Sequence, residues 1–191
     1  MKPIFIIEHL EPKLYPWCLI EYKHISKVVG KESLWFTNML KINNKKELEG
    51  YGNLIDESVK KIKLENACVL DPNAKKTLNP KEAENFRYYI LGGILGDYPP
   101  KQRTKDELTK FIDEAEVRNI GKEQMSTDNA ALVVKEIIGG KRLSELAFKD
   151  GIEIPIDKIA SIQLPYRYRI IKGEPFISQE LVIYLKNKKG F

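Results

Sequence analysis

Short apolar runs alternate with helix-like spacings along most of the chain. The apolar runs predict five buried strands, at residues 4–7, 34–37, 67–70, 88–91 and 115–120. Helical periodicity falls between them, at residues 17–29, 53–62 and 105–111, and again in a stretch that begins after Ser126 or Thr127 and stops at Gly139. Strands that alternate with helices predict an α/β fold, with a mostly parallel sheet and helices on both faces.

Two local signals add to this pattern, one before the middle of the chain and one near its end. Asn79-Pro80, with Glu82 three residues after the asparagine, predicts a capped helix start. Beyond residue 143 the alternation ends, and residues 166–171 and 175–177 around Lys172-Gly173 predict a small hairpin. We therefore predict one α/β domain over residues 1–142 and a C-terminal extension, residues 143–191, that packs on it.

Composition narrows the class of protein. The 191 residues are 42% hydrophobic and 31% charged, which is ordinary for a folded domain with its own core. The apolar runs are far shorter than the roughly 20 residues of a membrane helix, and no secretion signal is evident, so we expect no membrane partner. Cys18 and Cys68 show no disulfide framework, which favours a reducing cytoplasm. His9 and His24 lack partners at ligand spacing, so no metal site is predicted.

Charge alone leaves the partner open. The 32 basic residues exceed the 27 acidic ones by five, and six of the 32 are arginines. Such an excess suits an RNA or ribosomal partner, but lysines scattered among acidic residues also make an ordinary solvated surface. The sequence does not choose between these two interpretations.

The most unusual segment follows the fourth predicted strand. It carries Gly92, Gly93 and Gly96, with Leu91 before them and Asp97 after them. Open α/β sheets bind ligands at such strand ends, and glycine lets a ligand approach the backbone. A dinucleotide fingerprint is excluded because its later glycine positions are occupied by other residues and Pro99-Pro100 prevents a helix. A simple glycine-rich turn remains the alternative.

Two further strand ends carry candidate residues. Leu70, Asp71 and Pro72 follow the third strand, where an Asp-Pro turn is the alternative interpretation. The fifth strand leads into a helix N-terminus, where backbone N–H groups and the helix dipole favour a ligand. That segment contains Ile120, Gly121, Gln124, Met125, Thr127 and Asp128, of which the last two also fit a helix cap.

Together the three loops resemble those of the SPOUT superfamily of S-adenosylmethionine-dependent methyltransferases. A closer resemblance, over most of the chain, is to a branch that includes archaeal proteins described as predicted RNA methyltransferases and a yeast enzyme acting on an arginine of a ribosomal protein. The motifs that carry it are Ile6-Ile7-Glu8-His9, Trp17, Glu21-Tyr22, Leu70-Asp71-Pro72, residues 92–97 with Pro99-Pro100 and Arg103-Thr104, residues 124–128 and, more loosely, residues 164–168.

The resemblance implies a deep trefoil knot in the C-terminal part of the sheet, with S-adenosylmethionine held by main chain from the three loops. The expected cofactor-binding residues are Leu70, Asp71, Pro72, Leu91, Gly92, Gly93, Gly96, Ile120, Gly121, Gln124, Met125 and Thr127. Leu91, Ile120 and Met125 suit an apolar adenine slot. Asp97 and Asp128, and less strongly Glu8, are candidate carboxylates to take the acceptor's proton. Arg103 is expected to orient the cofactor carboxylate or the substrate.

Three functions follow as hypotheses. The preferred one is methyl transfer to RNA of the translation machinery, and the alternative is methyl transfer to an arginine of a ribosomal protein, held at an acidic mouth. The third is a non-catalytic module that binds S-adenosylmethionine. The oligomeric state, monomer or homodimer, stays open because no apolar stripe decides it.

Overall fold

A computed structural model describes residues 2–97, 99, 101–156 and 160–187. Pro100 of the Pro99-Pro100 pair and the last four residues of the extension lie outside this range. The central sheet has six strands, β1 (Ile4–His9), β2 (Leu34–Thr37), β3 (Asn53–Leu54), β4 (Ala67–Leu70), β5 (Tyr88–Gly93) and β6 (Glu116–Arg118). All pairs are parallel, in the order β3-β2-β1-β5-β4-β6, which confirms the predicted α/β class.

Both faces of this sheet are buried, which explains why its strands read as continuous apolar runs. Helices α1 (Pro16–Val29) and α4 (Thr127–Ile138) cover one face, where Ile7 and Leu91 join the main core. The opposite face buries Ile6 and Ile90 against Val59 and Leu108. Two short helices, α2 (Pro80–Ala83) and α3 (Arg103–Glu107), complete this part of the chain.

Local signals account for where the helices begin and end. Pro16 opens α1 and Gly30, with a φ of 86°, ends it. The predicted capping box is present at α2, where the Asn79 side chain accepts from the Glu82 amide and the Glu82 carboxylate accepts from the Asn79 amide. Ser126 is the cap residue of α4. No helix in the described ranges is both long and apolar enough to cross a membrane.

One predicted helix is wrong. Residues 53–62 form the two-residue edge strand β3 and, at Val59–Lys61, a single 3₁₀ turn. The apolar spacing within this segment fits a helix, but the backbone of Asn53–Leu54 pairs with β2 instead, and the Ser58 side chain accepts from Lys60 N. The predicted helix at 105–111 also divides, into α3 and a 3₁₀ turn at Thr109–Phe111.

The C-terminal extension is an antiparallel sheet with one helix. Its strands are β7 (Phe148–Pro155), β8 (Ser161–Ile171) and β9 (Glu174–Pro175), followed by α5 (Gln179–Asn187). The predicted hairpin is the β8–β9 pair, with Lys172-Gly173 at its turn, whereas β7 and α5 were not predicted. A separate apolar cluster joins this sheet to α1 through Ile20 and Trp17.

Candidate functional site

The predicted strand ends meet around one cavity of about 330 Å³. They converge because parallel strands β4, β5 and β6 end at the same edge of the sheet. The start of α3 and the first turn of α4 complete the wall. The predicted site residues that line the cavity are Leu70, Asp71, Pro72, Leu91, Gly92, Gly96, Asp97, Arg103, Ile120, Gly121, Gln124, Met125 and Thr127.

The loop after β4 is held by its own hydrogen bonds. The buried Asp71 carboxylate accepts from the Asn73 amide at 2.8 Å and from the Thr109 hydroxyl at 2.7 Å. Asp71 N also donates to the Arg118 carbonyl at 2.9 Å. Asp71 therefore fixes the shape of the cavity wall with its carboxylate already occupied.

Asn119, which was not among the predicted site residues, ties the β6 end into that same loop. Its side-chain amide donates to the Ala74 carbonyl at 2.9 Å, and its side-chain oxygen accepts from the Thr77 hydroxyl at 3.0 Å. Its backbone N donates to Lys76 O and its carbonyl accepts from Leu78 N, both at 2.9 Å. The loop from residue 71 to residue 78 thus wraps closely around Asn119. The one signal for it in the sequence is an asparagine directly before Ile-Gly at a strand end.

Gly96 provides space for two side chains at the cavity mouth. A Cβ on Gly96 would overlap Gln124 Nε2 and would lie 2.5 Å from Tyr166 Cε1. The Tyr166 hydroxyl, from β8, donates to the Gly96 carbonyl at 3.2 Å. The C-terminal sheet therefore packs directly against residues 92–97, the glycine loop, and Tyr166 is a site residue that loop patterns alone did not reveal.

The sequence predicts that Gly93 lets a ligand approach the backbone, but the structure places Gly93 away from the cavity. It does not line the cavity, because it is buried and faces α1. A Cβ there would overlap the Tyr22 hydroxyl and lie 3.0 Å from Ile7 Cγ2. Gly93 therefore makes room for Tyr22, whose hydroxyl lies 2.8 Å from His9 Nδ1.

Arg103 lines the cavity, but its guanidinium is engaged by the protein. It donates to Glu107 Oε1 at 2.6 Å and to Glu11 Oε1 at 2.7 Å. Glu11 Oε1 also accepts from the Leu95 amide at 2.9 Å. Arg103 thus links α3, the β1–α1 loop and the glycine loop. Its role in orienting the cofactor carboxylate or the substrate stays a prediction.

The predicted carboxylates fall in different environments. Asp97 lines the cavity with its side chain 30% exposed, and pairs with Lys101 Nζ at 3.0 Å. Asp128 does not line the cavity and is buried at the start of α4, bonded to His24 Nδ1 at 2.7 Å and to the Ser126 hydroxyl at 2.6 Å. Glu8 is fully buried and accepts from Thr37, Ser58 and Val59, so it serves the fold.

Glu21 is a carboxyl group beside the site that received no predicted role. It lies on α1, only 5% exposed, and accepts from Trp17 Nε1 at 2.7 Å. Burial, and then the neighbouring Asp128, raise its pKa to about 8, against the lowering effect of hydrogen bonds from Trp17 and Thr127. The signal in the sequence was an acidic residue one helical turn after Trp17 and one turn before Ile25, on the buried face of α1.

Arg167 of β8 is hydrogen-bonded to Gln124, in the loop that follows β6. Its backbone N donates to the Gln124 carbonyl at 2.8 Å. Its guanidinium binds both carboxylate oxygens of Asp150, at 2.6 and 2.8 Å, and pairs with Glu123 at 2.7 Å. Its charge is therefore balanced within the protein.

Comparisons with solved structures define the class of this fold and cavity. Yeast arginine methyltransferase SFM1 complexed with SAM superposes with a TM-score of 0.87 and 30% identity, over 97% of this chain and 91% of that one. A dual specific Trm10 from Thermococcus kodakaraensis gives a TM-score of 0.55 at 19% identity, over 75% of this chain and 96% of that one, and shows the fold alone. The chain is an S-adenosylmethionine-dependent methyltransferase with a SPOUT-type fold.

The sequence comparisons identify the family. Protein arginine N-methyltransferase SFM1 of Saccharomyces cerevisiae is 32% identical over 203 residues, which cover 95% of this chain and 93% of the yeast protein. A family model described as "Protein arginine N-methyltransferase SFM1-like" matches residues 4–190. The chain belongs to this family, and the resemblance drawn from its loops is confirmed.

Proposed function

We propose that this protein transfers the methyl group of S-adenosylmethionine to an arginine side chain of a protein. The observation that carries the proposal is the extent of the likeness to yeast SFM1, 97% of this chain at a TM-score of 0.87. That extent includes β8, whose Tyr166 packs against the glycine loop at the cavity mouth. The likeness thus covers the elements that build the site as well as the sheet beneath it.

The residues of the cavity fit S-adenosylmethionine. Leu91, Ile120 and Met125 supply apolar walls for the adenine, and the loops at 92–97 and 120–125 supply backbone groups for its polar edge. Asp97 and Gln124 offer polar side chains at the mouth for the amino-acid portion. When bound, the cofactor supplies an activated methyl group on a sulfonium, so the protein contributes chiefly by holding the acceptor in line.

The same proposal includes the knot and the domain division. The close wrapping of residues 71–78 around Asn119 supports a trefoil knot, because one strand end passes against the loop that follows another. We place the knotted methyltransferase domain at residues 1–142 and its extension at 143–191. The extension supplies a wall of the site through Tyr166, so we expect it to be needed for activity.

The acceptor is a protein arginine rather than RNA in this proposal. A relative that matches 95% of this chain is a protein arginine methyltransferase, whereas the Trm10 structure shares only the fold. The arginines nearest the cavity are bound to carboxylates, which leaves them poorly placed to neutralise phosphates. The enzyme is expected to act on a ribosomal protein in the cytoplasm.

Methyl-labelled S-adenosylmethionine tests the acceptor class. The purified protein is incubated with ribosomal proteins and, separately, with ribosomal and transfer RNA. We expect label in protein that survives ribonuclease and is recovered as methylated arginine. Label in RNA alone would refute the arginine assignment, and binding of S-adenosylmethionine without any transfer would favour a non-catalytic module.

A further inference from the structure

A buried polar cluster lies beside the cofactor cavity, between α1, the start of α4 and β8. Its members are Trp17, Glu21, Tyr166 and Tyr168, with Thr127 between Glu21 and the cavity. Trp17 and Tyr166 pack, partly buried, against the same apolar cluster that buries Tyr168. The polar cluster therefore combines one carboxyl group with three aromatic side chains that carry polar atoms.

Glu21 lacks the partner that a buried carboxylate normally has. Across residues 2–187, leaving out the positions the structure does not describe, no lysine or arginine forms an ion pair with it. Its polar contacts are Trp17 and Thr127, and the nearby Asp128 is itself an acid. Buried carboxylates are ordinarily neutralised by a cation or by a proton. Glu21 is therefore suited to receive a cation from outside the chain.

The hydroxyl of Tyr168 is an independent sign of a missing partner. Tyr168 is only 1% exposed, and its Oη has no hydrogen-bond partner among the described residues. Burial, followed by the charges of Asp128 and Glu21, raises the pKa of this tyrosine. The unpartnered Tyr168 hydroxyl belongs to the apolar cluster that contains Trp17, and the Glu21 carboxyl group, which has no cation, is hydrogen-bonded to the same Trp17. Together they suit a ligand that is cationic and rich in N–H donors.

Tyr166 connects this polar cluster to the cofactor cavity. Burial raises its pKa, and so do the negative charges of Glu21 and of Asp97, which lines the cavity. Its ring lies against Gly96. Trp17 and Tyr166 pack against the same cluster, and aromatic side chains of this kind bind a planar guanidinium well.

We propose that Glu21 is a catalytic residue, whose carboxylate binds the guanidinium of the acceptor arginine and takes up its proton, while the Tyr168 hydroxyl accepts a hydrogen bond from it. This assignment rests on the proposed arginine methyltransferase function. The guanidinium nitrogen forms a bond to the methyl carbon, and the carbon–sulfur electron pair stays with sulfur. The N–H proton passes to Glu21 and then to water, so the methylated guanidinium keeps its single positive charge.

The test compares Glu21→Gln and Tyr168→Phe with wild type, using methyl-labelled S-adenosylmethionine and the ribosomal protein fraction that wild type labels. Glu21→Gln is expected to lower kcat/KM at least about 100-fold. Tyr168→Phe, which removes only an unpartnered hydroxyl, is expected to raise KM several-fold with an unchanged thermal midpoint. Affinity for S-adenosylmethionine, measured by calorimetry, is expected to stay within about twofold of wild type in both.

The pH profile separates a catalytic from a structural role for Glu21. Wild-type kcat/KM is expected to rise with pH through an ionisation near the raised pKa of Glu21, about 8, and this limb is expected to disappear in Glu21→Gln. Several other titratable groups face Glu21. On α1 these are Cys18 and Tyr22, and also His24, which acts through its hydrogen bond to Asp128. From the elements packed against α1 they are Asp128 of α4 and Tyr166 and Tyr168 of β8. Glu21→Asp keeps a carboxyl group, so kcat/KM of this variant is expected to keep part of its rise with pH.

Two exposed or distant positions provide matched controls. Glu32→Gln removes a carboxylate just beyond the other end of α1, and Tyr51→Phe removes a hydroxyl remote from β8; both are expected to match wild type. Wild-type rate and pH profile in Glu21→Gln would overturn the inference while leaving the arginine methyltransferase intact. Absence of methylarginine with the wild-type enzyme would instead overturn the proposed function.

Discussion

Gly93 and Gly96 lack a side chain for different physical reasons. Gly93 ends β5 and faces the core, where an added Cβ would overlap the Tyr22 hydroxyl and press on Ile7 and the Glu8 carbonyl. Gly96 lies at the cavity mouth, where the same atom would displace Gln124 and Tyr166. One glycine thus serves packing and the other serves the site.

Alanine at the two positions is expected to separate these effects. Gly93→Ala forces an atom into a packed core and is expected to destabilise the fold by about 1–3 kcal/mol, seen as a lower thermal midpoint. Gly96→Ala is expected to leave that midpoint within a degree or two but to weaken S-adenosylmethionine binding about tenfold or more. Differential scanning and titration calorimetry on both variants check the pair. Equal loss of stability in both would contradict the assignment.

Some residues at or beside the site have no local signal in the sequence. The three strand-end loops are visible in the sequence because glycine, proline and acid residues follow apolar strands. Glu21 and Tyr166 lie on elements far from those loops in the chain and meet them only after folding. Asp128 carries a strong local signal, but a cap position and a catalytic position look alike until burial is known.

At the scale of elements, α3 depends on contacts beyond its own sequence. It has five residues, too few to be stable alone, and its first residue, Arg103, binds Glu107 within α3 and Glu11 before α1. Through Glu11 it also supports the Leu95 amide of the glycine loop. The guanidinium fork is what allows one side chain to bind two carboxylates.

Removing the guanidinium of Arg103 is expected to loosen the glycine loop. Arg103→Ala is predicted to weaken S-adenosylmethionine binding about tenfold, and Arg103→Lys to recover little of it, because an ammonium cannot reproduce the paired contacts. Titration calorimetry measures both. Lys105→Ala, at an exposed position of the same helix, is the control and is expected to bind as wild type. Full recovery in Arg103→Lys would show that charge alone suffices.

Element prediction succeeded where burial and local signals agreed. The strands β1, β2, β4 and β5 and the helices α1 and α4 follow from apolar runs and from caps or glycine stops. Residues 53–62 failed because helical spacing of apolar residues also suits an edge strand followed by a 3₁₀ turn that buries Val59. The β7 strand was missed because it contains Gly151 and exposed charged residues, and its pairing with β8 is set by distant sequence.

At the scale of the whole molecule, the buried Glu21–Asp128 pair links stability to pH. The pKa of Glu21 is raised on folding, so the folded state holds more protons than the unfolded state between roughly pH 4.5 and pH 8. The contribution of Glu21 to stability is therefore present at low pH and lost as pH rises through this window. The neighbouring acids Glu21 and Asp128 are tolerated in the fold because one of them can be protonated.

The difference between wild type and Glu21→Gln isolates this contribution. Relative to the variant, wild type is expected to lose stability from about pH 5 to about pH 8, by up to about 1.4 kcal/mol per pH unit. Urea unfolding at several pH values, with Glu32→Gln as the control, measures it. A difference that is flat or grows with pH would show that Glu21 is ionised throughout in the folded protein.

We propose that the protein methylates arginine and that Glu21, a carboxyl group on α1 next to the cofactor cavity, takes up the proton. The most direct measurement is amino-acid analysis of ribosomal protein incubated with methyl-labelled S-adenosylmethionine and either wild type or Glu21→Gln. We predict labelled methylarginine with wild type and at least about 100-fold less with the variant. Label recovered only in RNA, or equal methylarginine from both proteins, would contradict this claim.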